Sequence, residues 1–161
     1  QPDRIILMGF SAGAHLVALA ATAGPEAGLD ISEFQKQSNS VAACIVVAGP
    51  SITNDERAFL EARKPESNYQ LFLGDLPENI PAIYEKASPA HWVSGNEPPM
   101  LFITEGNPSA HNIIRSKLDK LGIQNEIFNL TGGIHSEWNW EPWFTPTMEV
   151  TETFIHSTIT H

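Results

Sequence analysis

With one cysteine, Cys44, the chain can form no intrachain disulfide. That residue lies in the apolar run Val41-Ala42-Ala43-Cys44-Ile45-Val46-Val47, where a buried packing role is expected rather than a reactive thiol. Basic side chains are also scarce: 9 Lys and Arg stand against 19 Asp and Glu, a formal charge of −10. This balance repels phosphate backbones and anionic lipid surfaces, so neither nucleic acid nor membrane is expected as a partner, and neutral or weakly charged small molecules fit better. No apolar run approaches the ~20 residues that span a bilayer, and the chain reads as soluble. No basic segment, apolar core and small-residue cleavage site open it, so no signal peptide is read. Want of a disulfide leaves the compartment open, because secreted and periplasmic enzymes also do without one. No histidine or cysteine pair has metal-ligand spacing with a third ligand, and neither metal nor cofactor is expected.

What the chain does have is a pattern of alternation. Its 161 residues give room for one core rather than two, and 42% hydrophobic with 17% charged residues is ordinary for a globular protein. Four apolar runs, at Arg4–Met8, Ala42–Ala48, Met100–Thr104 and Glu126–Leu130, are bounded by glycine, proline or asparagine and read as strands. Helical spacing falls at Ala12–Ala23, Ser109–Leu121 and Thr147–Ile159, with Gly122 as a helix stop. Short strands alternating with helices predict a parallel sheet with helices on its faces. Residues 51–99 interrupt the rhythm: this polar, proline-bearing stretch, with short helical pieces near Asp55–Arg63 and Pro77–Lys86, reads as a cap or substrate-shaping insertion within a single domain over residues 1–161.

The pentapeptide Gly9-Phe10-Ser11-Ala12-Gly13 sits between the first strand and the first helix. A strand, a sharp turn tipped by serine and a helix form the context in which a serine hydroxyl is thrust out of the sheet as a nucleophile. The two glycines are expected at flanks where a β-carbon would collide with the neighbouring chain. The helix that follows aims its N-terminus at the reacting centre, which makes the Ala12 N–H a candidate oxyanion donor.

Together with this elbow, Asp3-Arg4-Ile5, Ala14-His15-Leu16, Ala87-Ser88-Pro89, Pro98-Pro99-Met100-Leu101-Phe102, Gly133-Ile134-His135-Ser136 and Pro142-Trp143-Phe144 resemble the α/β-hydrolase superfamily. They look most like its carbohydrate-esterase branch of acetyl-xylan and feruloyl esterases. The resemblance covers the whole chain and implies the C-terminal part of that fold, strands five to eight of a parallel sheet with flanking helices. The N-terminal half, with the loop that would donate the second oxyanion N–H, is then expected from a missing segment or a separate chain. The implied order along the chain is serine, acid, histidine.

His135 follows the last strand in a glycine-bearing loop and is the expected general base toward Ser11. The acid is less well marked, because the turn after the third strand reads Thr104-Glu105-Gly106-Asn107-Pro108-Ser109 and holds no aspartate. Glu105 is the nearest carboxylate; Asp55 or Glu56, after the second strand, is the rival position. Trp138, Trp140 and Trp143 cluster beyond His135, and are expected to offer a flat apolar platform to a sugar ring or aromatic acyl group. His15 reads as a packing residue, His91 as part of the insertion, His111 as a residue that could border the site, and His156 and His161 as surface positions. The expectation is a serine carboxylic-ester hydrolase acting through an acyl-enzyme on carbohydrate or other small esters. A catalytically silent binding protein and a peptidase or lipase of the same fold are the alternatives.

Overall fold

β-branched and aliphatic runs that are apolar at nearly every position suit strands buried on both faces, and the four runs here pair into one parallel sheet. In the computed structural model, which describes residues 4–31, 33–34, 36–132 and 135–159, these are β1 (Ile6–Phe10), β2 (Ala43–Val47), β3 (Met100–Glu105) and β4 (Asn125–Leu130), in spatial order β1-β2-β3-β4. Asp3, Gly133, Ile134 and His161 lie outside the described residues. Met8 stands opposite Ile45, Ile45 opposite Leu101, and Ile103 opposite Phe128. The two middle strands are buried from Ala43 to Val47 and from Met100 to Thr104, whereas β1 and β4 are partly exposed.

Parallel neighbours need crossovers, and the chain supplies them. Helix α1 (Ala12–Thr22) leads from β1 to β2, and the stretch from β2 to β3 carries α2 (Glu56–Ala62), α3 (Asn68–Leu73) and α4 (Pro81–Lys86). Helix α5 (Asn112–Lys120) leads from β3 to β4, and α6 (Phe144–Ile159) closes the order. Alternate strand residues take opposite faces. Cys44, Val46, Met100 and Phe102 pack with Ala14 and Ala18 of α1 and Ile114 and Leu118 of α5. Ala43, Ile45, Val47, Leu101 and Ile103 pack with Trp138 and with Phe154 of α6. Cys44 is fully buried, which pushes its thiol up to about 12 and leaves it a packing group.

Several boundaries differ from those expected. β1 runs on through Gly9 and Phe10, because both still pair with Val46 and Val47, so the turn contracts to Ser11 alone. α5 starts at Asn112 after a 3-10 turn over Pro108–His111, and α6 starts at Phe144, three residues early. Pro146 is no obstacle there, since an N–H in the first helical turn has no intrahelical partner to lose. Asp55 and Arg63 cap α2 as its expected limits imply, but α3 was not expected at all, and α4 begins only at Pro81. Gly122, at φ 72°, ends α5 as foreseen.

The insertion is fastened to the helices α1 and α5 and closed on itself. His15 Nε2 donates to the Ala87 carbonyl at 2.6 Å, Ala90 N donates to Ser51 O at 2.9 Å, and Lys117 Nζ donates to Ala90 O at 2.6 Å. Tyr84 is fully buried with its hydroxyl donating to Asp75 O at 3.0 Å.

Candidate active site

The elbow is a strained turn. Ser11 adopts φ 53° and ψ −120°, a region that L residues rarely occupy and that persists only where surrounding structure imposes it. Its N–H is held by Val47 O at 2.9 Å, and its own carbonyl accepts from Ala14 N and His15 N at 3.1 and 3.3 Å. Gly9 allows the chain to double back, because a β-carbon there would lie 2.3 Å from Gly13 O. The same expectation for Gly13 is corrected: a β-carbon at that position would meet nothing within 4 Å. The second glycine that the turn needs is instead Gly49, just past β2, where a β-carbon would fall 2.4 Å from Ser11 O and 2.5 Å from the Ala14 β-carbon. Neighbouring Ala48 shares the positive backbone angle, φ 53°. Ala12 takes the first position of α1, where its N–H has no carbonyl within the helix to bond, so it remains available to an incoming oxygen.

Ser11, His135 and Glu105, which sequence reasoning brings together only through strand order, form one hydrogen-bonded chain. Ser11 Oγ lies 2.7 Å from His135 Nε2, and His135 Nδ1 lies 2.8 Å from Glu105 Oε2. A carboxylate can only accept, so the proton sits on Nδ1 and Nε2 is left to accept from the serine hydroxyl. The second oxygen of Glu105 accepts from Ser136 N at 3.1 Å, so the same carboxylate holds both the ring and its loop. Glu105 is the last residue of β3, paired with Leu130, and its side chain is only 14% exposed; the His135 side chain is 58% exposed. An imidazole open to solvent with its orienting carboxylate sheltered behind it can exchange a proton with the Ser11 hydroxyl while keeping one tautomer.

Neither rival carboxylate is the one bonded to His135. Asp55 caps α2, its Oδ1 accepting from Ala58 N at 2.8 Å, and Glu56 is exposed in the first turn of that helix. Asp55 does line a cavity of about 300 Å³ that also borders Arg57, Glu61, Tyr69, Glu105 and His135.

The three indoles separate. Trp138 is only 4% exposed: its ring stacks on Phe10 at 5.6 Å and meets the His135 ring edge-on at 5.1 Å, so it packs between the elbow strand and the histidine and presents no open face. Trp143 is half-buried against the β1–β4 face served by α6, with Nε1 donating to Thr131 O at 3.2 Å. Trp140, 70% exposed, is the indole open to solvent. A shared three-indole platform is therefore corrected to one exposed ring.

Among the other histidines, His15 is buried and its pKa is lowered, chiefly by desolvation and partly offset by its bond to Ala87. His91 faces Glu85 at 3.3 Å and His156 faces Glu152 at 3.7 Å. His111 is 2% exposed, with Nδ1 2.8 Å from Ser51 Oγ. Gly49 and the Ser51–His111 pair were missed in the sequence. The run Ala48-Gly49-Pro50 directly after a buried strand was the available signal for the first; nothing in the spacing marked the second. Among the described residues no cluster of three or more His, Cys, Asp or Glu is arranged to hold a metal, and no helix is long and apolar enough to cross a membrane.

Residues 1–117 match the family model described as BD-FAE. No curated protein matches the chain. Among solved structures, the thermophilic esterase Est2 of the Planctomycetes species Thermogutta terrifontis is similar at a TM-score of 0.72 and 22% identity, over 97% of this chain and 55% of that one. The same esterase phosphonylated by sarin gives 0.74 and 20%, over 97% and 57%. A truncated carbohydrate esterase from gut microbiota gives 0.73 and 19%, over 100% and 61%. The chain thus spans between half and two thirds of the length of these structures, and its sheet and helices are part of an α/β-hydrolase fold.

Proposed function

The chain belongs to the BD-FAE family, an α/β-hydrolase-like esterase domain, and on that premise we propose that it carries the nucleophile, base and acid of a serine carboxylic-ester hydrolase. One observation carries the reading: a strained elbow serine hydrogen-bonded to a solvent-open imidazole, itself backed by a sheltered carboxylate. In the reaction the Ser11 oxygen attacks the ester carbonyl while its proton passes to His135 Nε2. The Ala12 N–H stabilises the oxyanion, and collapse expels the alcohol, which takes the proton back from Nε2. Water, deprotonated by the same nitrogen, then attacks the acyl-enzyme, releasing the acid and restoring the Ser11 hydroxyl. Glu105 keeps the imidazole oriented and stabilises its cationic form.

The substrates proposed are acetyl- or feruloyl-type esters of carbohydrates, or other small esters. The likeness to a carbohydrate esterase, the exposed Trp140 and the net charge of −10 favour neutral substrates of this kind. A second oxyanion donor would come from sequence beyond these residues or from a separate chain; the edge of β1, which among the described residues pairs with β2 alone, fits such a companion.

Turnover of nitrophenyl acetate by the complete protein, with its loss in Ser11→Ala, tests the reading. A correctly folded protein that hydrolyses no short ester, or a Ser11→Ala variant that keeps full activity, overturns it.

A further inference from the structure

We propose that Ser51 and His111 form a positioning pair that keeps Glu105 in register with His135, a role that rests on the esterase reading above. The two side chains meet at 2.8 Å and are 1% and 2% exposed, and no carboxylate backs the ring, so the pair sits in the wall of the site rather than standing open as a second nucleophile and base. What they join is informative. Ser51 ends the segment Ala48-Gly49-Pro50-Ser51, whose Ala48 N–H donates to Ile103 O at 2.8 Å and whose Gly49 is wedged under the Ser11 carbonyl. His111 ends the loop that leaves β3 at Glu105, turns at Gly106 with φ 73°, and returns through the 3-10 turn Pro108–His111. Its ring lies 4.8 Å from Phe102, so the loop is anchored over the strand from which it departed. One buried hydrogen bond therefore ties the segment beneath the nucleophile to the loop that follows the acid.

Such a tie has a reason to exist at this site. Glutamate has one more rotatable bond than aspartate, so its carboxylate wanders further unless its surroundings confine it. Ser51, Asn107, Ala110 and His111 line the same cavity as Glu105 and His135. Burial, reinforced by Arg115 and Arg57, pushes His111 down to about 4, so the buried pair stays uncharged at neutral pH. A wall that loosens lets the carboxylate turn away from Nδ1, and a misplaced orienting group costs rate in the chemical step rather than affinity.

The test uses the complete protein with nitrophenyl acetate and with NMR detection of the His135 Nδ1 proton. His111→Phe retains the ring against Phe102 but loses the nitrogen, and Ser51→Ala loses the hydroxyl. Each is expected to lower kcat about ten- to hundredfold with KM unchanged, and His111→Asn, which keeps a polar group near the Nδ1 position, to restore most of it. In a Glu105→Ala background His111→Phe should cost no further kcat, because the group it positions is gone. The Nδ1 proton signal should broaden or move upfield in His111→Phe as it does in Glu105→Ala. Losses that multiply in the double variant, an unchanged kcat, or a proton signal identical to that of the parent protein would each overturn the proposal. Should the parent protein show no Ser11-dependent turnover, the esterase reading falls, and the proton signal alone still decides the positioning role.

Discussion

Two serine–histidine pairs occupy the C-terminal end of this sheet, and their bond lengths, 2.7 and 2.8 Å, do not tell them apart. Their surroundings do. Ser11 meets Nε2 of a ring that is 58% exposed and has a carboxylate behind its other nitrogen. Ser51 meets Nδ1 of a ring that is 2% exposed and has the cations Arg57 and Arg115 as its electrostatic neighbours. A carboxylate stabilises the imidazolium that forms during acyl transfer, whereas burial and nearby cations oppose it. The same two side chains can thus be reactive or structural, and access and charge decide which.

The sharpest way to break this comparison is to remove each serine in turn. Ser11→Ala is expected to cut kcat by about 10⁶-fold, the scale on which loss of a serine nucleophile acts, whereas Ser51→Ala should keep all but about one or two orders of magnitude. Comparable losses in steady-state kinetics would remove the distinction. Next in size is the carboxylate: Glu105→Gln keeps the shape but cannot hold the Nδ1–H tautomer, and kcat should fall about 10³- to 10⁴-fold. Asp55→Ala, which removes the acceptor at the α2 N-terminus, should leave kcat within about threefold and show up instead as a loss of roughly 1 kcal/mol in urea unfolding.

Two smaller effects concern the supports of each pair. Gly9→Ala drives a β-carbon to 2.3 Å from Gly13 O and should destabilise the protein by about 3 kcal/mol or more, while Gly13→Ala, with open space around it, should be neutral or stabilise α1 by up to about 1 kcal/mol. Equal thermal shifts for the two would contradict the elbow geometry. For the buried pair, the folded-state pKa of His111 is about 4 against an ordinary 6.5. Above 6.5 the ring is neutral whether the chain is folded or not. As pH falls from 6.5 to 4 the unfolded chain takes up a proton that the folded one refuses, so stability drops by up to about 3 kcal/mol and the loss levels off below pH 4. His15 is shifted in the same direction and adds to the slope. His111→Asn should flatten stability against pH in that window, read by urea titrations at successive pH values; an unchanged slope would show that His111 is not the group responsible.

Much of this was legible in the residues. The four strands follow from apolar runs that any packing of the chain must bury, and the elbow from glycine, serine and glycine between a strand and a helix. Boundaries were less legible where pairing overrode punctuation: Gly9 reads as a turn residue, yet β2 holds it in the sheet opposite Val46. Glu105 stood out only because no aspartate did, and its contact with His135 depends on β3 and β4 being neighbours, a non-local fact. Trp138 illustrates the opposite failure. Three indoles close together in sequence suggest a common surface, but a 3-10 turn over Glu137–Asn139 rotates one of them into the core against Phe10. His111 was legible as a residue that could border the site, but its bond to Ser51, 60 residues away, could be found only in three dimensions.

Covalent trapping separates the two serines most directly. The complete protein is treated with a fluorophosphonate that reacts with activated serines, digested, and its peptides weighed. A single adduct on Ser11, absent after Ser11→Ala and unaffected by Ser51→Ala, is the expected result; an adduct on Ser51, or an unmodified Ser11 in correctly folded protein, would contradict the assignment of the exposed pair as the reactive one.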